Sequence, residues 1–216
     1  MTRRDRVTDA RAASDDDHVV RGAASENHHL DVEVESLRER LRHYDGRAGS
    51  QDDRPGWQAA TALVVAPHGP TSAIAFIRRA EREGDRWSGD MALPGGMRAP
   101  SDHDLAATAA RETREEIGVT LGDPVARLPD QGGRATRGTV ATFVHILDRR
   151  PELVPEPAEV AEALWIPIGH LVAPTAATRF RWKGIPFPAI DHGGRIIWGL
   201  THRILSTFLD VAGIRR

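Results

Sequence analysis

An α/β sandwich is the fold class this sequence predicts. Strand-length apolar runs recur from Ala59 to Ile166, and an alanine-rich helical segment interrupts them between Asp104 and Gly118. A second helical stretch follows a last short strand near the end of the chain. Strands and helices mix irregularly, which argues against a regular doubly wound sheet. No internal repeat is present.

At 216 residues the chain accommodates one domain with a sizeable core and is too short for two comfortable ones. A formal net charge of −2 supplies no global basic field, so no nucleic-acid partner is expected. The absence of cysteine excludes a disulfide framework, thiolate metal sites and a cysteine nucleophile together. Residues 1–6 lead into polar sequence with no apolar signal core, and the best apolar run, 59–66, is far too short to span a bilayer. A cytoplasmic protein without a membrane partner is the expectation.

Residues 1–28 are rich in Arg, Asp, Ala and Ser and lack apolar periodicity, so they read as a disordered tail. Residues 29–56 read as an N-terminal helix and linker. Leu30, Val34, Leu37 and Leu41 fall at helical spacing, Asp45-Gly46 stops the helix, and Arg54-Pro55-Gly56 closes the linker. The main domain spans 57–216. Strands are expected at 59–66 and 72–77 around the turn residues Pro67-His68-Gly69-Pro70, followed by a charged loop over 78–87. A short strand, Met91-Ala92-Leu93, enters a Pro94-Gly95-Gly96 turn. Ser101-Asp102-His103-Asp104 fits a Ser-x-x-acid capping box for the helix that follows, and Gly118 stops it. Its small residues, Ala106, Ala107, Ala109 and Ala110, allow close approach to a sheet. Further strands are expected at 124–128, 138–147, 161–166 and 195–197, with turns at Gly132-Gly133 and 155–157 and a final helix over 200–211.

The chemistry concentrates in Arg111-Glu112-Thr113-Arg114-Glu115-Glu116-Ile117-Gly118-Val119. Glu112, Glu115 and Glu116 stand at i, i+3 and i+4, so on a helix the three carboxylates crowd one face. Like charges at that spacing weaken a helix by roughly 0.2–0.5 kcal/mol per pair, and a hard divalent cation with oxygen ligands converts the cluster into a site. The bland alternative is a solvated face with Arg111 and Glu115 paired at i,i+4. The Gly-Gly turn just upstream favours the site, because glycine lets a phosphate or a metal approach the backbone closely. Phe180-Arg181-Trp182-Lys183 interleaves aromatic and basic residues that suit base stacking and phosphate, against the plainer reading of an exposed amphipathic strand. Arg78, Arg79 and Arg82 are candidates for gripping a phosphate, and the ten histidines are scattered.

Residues 94–119 resemble the Nudix box, G-x5-E-x7-R-E-U-x-E-E-x-G-U with U a bulky aliphatic residue. Arg111, Glu112, Glu115, Glu116, Gly118 and Val119 are in register, while Thr113 departs at a U position. Glu162-Ala163-Leu164-Trp165-Ile166-Pro167 is similar to the strand that follows the box, so the resemblance covers about 59–212. Gly96 lies 15 positions before Arg111, one more than the pattern, and His103 stands where the box has Glu. That Glu pairs with the box arginine in the family; here Asp102 or Asp104 is the substitute. The expansion between Gly96 and Asp102, with Ile197-Trp198-Gly199-Leu200-Thr201 near the end, is similar to the coenzyme A diphosphatase branch.

The resemblance implies an α/β/α sandwich with a mixed β-sheet and a Mg²⁺- or Mn²⁺-dependent hydrolase. Its substrate would be a small nucleoside diphosphate derivative such as coenzyme A or acyl-CoA. Hydrolysis of ADP-ribose or another nucleotide is the alternative, as is a non-catalytic nucleotide-binding module. By the same resemblance the Gly96 carbonyl, Glu112, Glu115 and Glu116 hold the metal and Arg111 orients the carboxylates. A base comes from Glu159 or Glu162, and a homodimer is left open.

Overall fold

Twelve residues from Trp57 to His68 form the longest strand, β1, of a computed structural model that describes residues 32–44, 46, 56–85, 87–132 and 138–214. The expected tail, Leu30 and nearly all of the expected linker lie outside the described residues. Strand β2 (Thr71–Arg79) returns antiparallel to β1, with Val65 opposite Ile74. Two short strands follow, β3 (Met91–Ala92) and β4 (Gly95–Met97), and then helix α2 (Leu105–Ile117), the second after the N-terminal α1 (Val34–Arg42). Strands β5 (Ala126–Gly132), β6 (Gly138–Ile146) and β7 (Val160–Pro167) complete a seven-stranded sheet.

The sheet is mixed. Strand β6 runs parallel to β1 from Trp57 opposite Gly138 to Val65 opposite Ile146, while the other pairings are antiparallel. Along its other edge β1 is shared: Ala59–Thr61 pair with β4 and Val65–His68 with β2. The remaining chain forms helix α3 (Ile168–Val172), one 3-10 turn (Pro174–Ala176), a three-stranded sheet of β8 (Ala177–Trp182), β9 (Ile185–His192) and β10 (Arg195–Trp198), and helix α4 (Gly199–Val211).

Period-two alternation sends the strand side chains to opposite faces. Ala60, Ala62, Val64, Ala75, Ile77, Ala141 and Phe143 meet Leu105, Ala109 and Ile117 of α2. Leu63, Val65, Ile74, Phe76, Val144 and Ile146 meet Leu37 and Leu41 of α1 and Ile204, Leu205, Phe208 and Leu209 of α4. The result is the expected α/β/α sandwich. Alanines dominate the sheet face under α2, which lets that helix sit close.

The structure corrects several local expectations. Gly95-Gly96 is not a free turn but the start of β4, stitched to β1: the Pro94 carbonyl accepts from Ala62 N at 2.9 Å and from Thr61 Oγ1 at 2.7 Å. The helix cap is Asp104 rather than Ser101; its extended backbone (φ −149°) lets the side chain accept from Ala107 N at 2.7 Å. Arg78 and Arg79 belong to β2 rather than to a loop. Strand β9 carries Pro186 and Pro188 where, among the described residues, β8 is the only strand paired with it, since β10 pairs with Ala189–His192. No helix among the described residues is long and apolar enough to cross a membrane.

Candidate active site

Helix α2 divides its box residues between two directions. Glu112 and Glu116, one turn apart, point toward the β4 side; Glu116 is buried and Glu112 half-buried. Glu116 Oε2 accepts from Gly95 N at 2.8 Å. The Cα of Gly96 lies against the Glu112 carboxyl, so that a Cβ there would come within 2.6 Å of Oε1. Gly96 therefore makes room for the Glu112 carboxyl and Gly95 supplies an amide donor to Glu116, which explains their placement ahead of this helix.

Glu115 turns to Arg111 instead, with Arg111 Nη1 at 2.8 Å from Glu115 Oε2 and at 2.8 Å from Glu112 Oε1. Asp102 holds the same guanidinium from the other side: Nε donates to Oδ1 at 2.9 Å and Nη2 to Oδ2 at 3.0 Å. Asp102 also accepts from Ala99 N and from Thr108 Oγ1, so each of its oxygens is occupied. The Arg111 bonds hold its carboxyl well below the usual carboxylate range. Asp102, not Asp104, thus takes the place of the missing Glu. It keeps the six-residue step from Gly96, so the extra residue falls between Asp102 and Arg111. Thr113, the departure at an aliphatic position, is fully buried with its hydroxyl on Ala109 O at 2.7 Å.

Glu159 arrives from a distant part of the chain. The segment leading into β7 is fastened to the last turn of α2, where Val154 N donates to Ile117 O and Glu156 N to Glu116 O, both at 2.9 Å. These bonds satisfy carbonyls that a helix end leaves open. The Glu159 carbonyl in turn accepts from Ala80 N at 2.8 Å. Carboxylate oxygens of Glu112, Glu116 and Glu159 then lie within 4.8 Å of one another. Burial pushes the Glu116 carboxyl up to about 7 against the opposing Gly95 N–H bond, and the Glu112 charge adds to the rise. Burial also raises Glu112, with Arg111 opposing.

Glu162 stands apart from this group. Arg195 grips both its oxygens, Nε at 2.9 Å, and Arg78 approaches to 3.5 Å, so its carboxyl is held down by the Arg195 bonds. The three arginines considered for phosphate are likewise engaged: Arg79 with Asp85 at 2.8 Å and Arg82 with the Ala158 carbonyl at 2.6 Å, besides Arg78. Among the described residues no histidine joins the acidic group: His103 is exposed beside Asp104, and His192 meets His170 edge-on at 4.5 Å. His28 and His29 lie outside the described residues.

Three carboxylates converging on one point, two of them driven toward the neutral acid by burial, form a donor set that a hard divalent cation would neutralise. The NUDIX domain family matches residues 57–186, more than half of the chain and the whole of this site. The chain belongs to the Nudix family. This Nudix hydrolase is 33% identical over 167 residues to the mitochondrial coenzyme A diphosphatase NUDT8 of Homo sapiens, covering 73% of this chain and 70% of the human protein. It is 34% identical over 142 residues to an uncharacterised protein of Schizosaccharomyces pombe, covering 61% of this chain but only 42% of that relative's length. A MutT/nudix family protein from Enterococcus faecalis shares the fold with a TM-score of 0.53 at 12% identity, over 82% of this chain and 73% of that one.

The residues that sequence reasoning did not bring out are the Gly95 amide and the anchoring of 154–156 to α2. The doubled glycine was the available signal for the first; the second depends on tertiary packing alone.

Proposed function

We propose that this Nudix hydrolase cleaves the diphosphate bond of coenzyme A or an acyl-CoA with the help of Mg²⁺ or Mn²⁺. The observation that carries the reading is the convergence of Glu112, Glu116 and Glu159 within 4.8 Å beside a glycine amide. The likeness to a coenzyme A diphosphatase over 73% of the chain supports the substrate class.

Glu112 and Glu116 would hold the cation, which supplies positive charge to a heavily anionic diphosphate. The Gly96 carbonyl and Glu115 are further ligand candidates, although Glu115 must first leave Arg111. Arg111, fixed by Asp102, orients Glu112 and keeps the helix face in register. The Gly95 N–H holds one Glu116 oxygen and leaves the other free. Glu159, the most exposed of the three, would take the proton of an attacking water on a carboxylate oxygen. The water oxygen bonds to phosphorus as the bridging P–O bond breaks, and the leaving phosphate oxygen takes up a proton. Coenzyme A cut in this way yields 3′,5′-ADP and 4′-phosphopantetheine.

The test is turnover of coenzyme A, ADP-ribose, dinucleoside polyphosphates and NADH with Mg²⁺ or Mn²⁺. Coenzyme A should be preferred, and Glu116→Gln should lower kcat at least 100-fold while the fold stands. Preference for another substrate redirects the assignment, and full activity of Glu116→Gln sinks the metal-hydrolase reading.

A further inference from the structure

Away from the carboxylates, five aromatic rings gather from four parts of the chain. Trp198, at the end of β10, is buried at their base, with Phe180 at 4.4 Å and Phe187 at 5.9 Å between ring centroids. Trp182 and Trp87 lie 6.1 and 6.2 Å from Trp198, and their own rings face each other at 6.2 Å and 19°. Trp87 is 46% exposed although it is among the largest apolar side chains of the protein. The Trp198 indole N–H already donates to Asp90 Oδ1 at 3.1 Å, so this base ring is fixed through its one polar atom.

A cation completes the cluster. Lys183 leads the two-residue turn between β8 and β9 and holds φ at +49°, followed by Gly184 at +81°. A side chain in the left-handed region crowds its own backbone, and such turns prefer Asn, Asp or Gly at this position. The conformation puts Lys183 Nζ 4.8 Å from the centroid of the Trp182 ring. Lys183 is itself exposed, so its ammonium is open to an anion.

The segment between β2 and β3 joins this cluster to the carboxylates. At one end Ala80 N bonds the Glu159 carbonyl and Arg82 bonds the Ala158 carbonyl. At the other, Asp85 Oδ1 accepts from Trp87 N, and Asp90 N donates to the Trp87 carbonyl. Arg79 N donates back to the Asp90 carbonyl, closing the segment against β2. Glu159 and Trp87 are thus held by one short stretch of backbone.

We propose that this aromatic face binds the purine ring of the nucleotide substrate and that Lys183 receives a phosphate carried on its ribose. The proposal rests on the reading of the chain as a nucleoside diphosphate hydrolase. Flat π faces suit a purine, and stacking needs no hydrogen-bond code, while the ammonium beside them suits an anion on the same ligand. An alkyl chain would make no use of that charge.

Three of the five tryptophans lie in the cluster, so fluorescence of the full chain in EDTA reports occupancy directly. The probes are 3′,5′-ADP, adenosine and 4′-phosphopantetheine. The first two should quench saturably, the first more tightly. Trp182→Ala and Trp87→Ala should weaken 3′,5′-ADP about tenfold, with Trp87→Phe close to wild type. Lys183→Gln should weaken 3′,5′-ADP several-fold and leave adenosine as it was. With coenzyme A and Mg²⁺, the Trp87→Ala defect should fall mainly in KM. The subsite is overturned if 3′,5′-ADP fails to quench, if the tryptophan variants bind it normally with native circular dichroism, or if 4′-phosphopantetheine is the ligand that Trp182→Ala loses. Turnover measured alongside separates the two readings: hydrolysis without purine binding removes only the subsite, and purine binding without hydrolysis removes only the catalytic assignment.

Discussion

Glu116 is acidic at a depth where an isolated charge is costly, and the surrounding residues decide how far. Its ordinary value near 4.5 rises to about 7, through burial first and the Glu112 charge after it. For an acid whose folded value is raised, the unfolded chain releases its proton first, so stability falls as pH climbs from about 4.5 to 7 and then levels off. In EDTA we expect wild type to lose on the order of 3 kcal/mol across that window through this group. Glu116→Gln should flatten that part of the profile, as read by urea midpoints at pH 5 and pH 8; an unchanged slope contradicts the burial argument. Which carboxylates converge was only half readable from sequence. The helical spacing placed Glu112 and Glu116 together because that relation is local. It offered the Arg111–Glu115 pair only as an alternative for the whole face, and it could not tell that Glu159 arrives from more than forty positions away. Asp102 and Asp104 were equal candidates for Arg111 until side-chain directions separated a helix cap from an arginine partner.

Helix α2 ends where Gly118 takes φ +71°, and a Cβ there would stand 3.2 Å from Cβ of Val154. Gly118→Ala should therefore cost roughly 1–2 kcal/mol of stability from the backbone term alone. It should also lower kcat/KM by displacing the segment that carries Glu159. Gly122→Ala, where nothing lies within 4 Å of the added carbon, is the control that should leave both unchanged. Chemical denaturation and steady-state rates on the same preparations check this, and equal behaviour of the two variants would refute it. Long periodic elements such as α2, β1 and β6 were readable because a face of one kind repeats. Strand β4 was not, because Gly95-Gly96 looks like a turn until β1 lies beside it: a Cβ on Gly95 would come within 2.4 Å of the Ala60 carbonyl oxygen. Strand β9 was hidden by two prolines that its one-sided pairing tolerates.

Both faces of the sheet carry helices, each over its own apolar cluster. Leu37 and Leu41 place α1 within the same core as α4. A cation bound only by the folded chain should stabilise the whole molecule by mass action, about 2.7 kcal/mol at one hundred times its Kd. We therefore expect Mg²⁺ or Mn²⁺ to raise the unfolding temperature of wild type by several degrees and that of a Glu112→Gln, Glu116→Gln double variant by far less. A shift of equal size in both, seen by calorimetry, would place the cation elsewhere. The bonds from Val154 and Glu156 to the last carbonyls of α2 carry a further meaning. Fraying of that last turn cannot leave Glu159 behind, because the same hydrogen bonds open in both. The three carboxylates therefore belong to one cooperative unit and gather or scatter together, not one at a time.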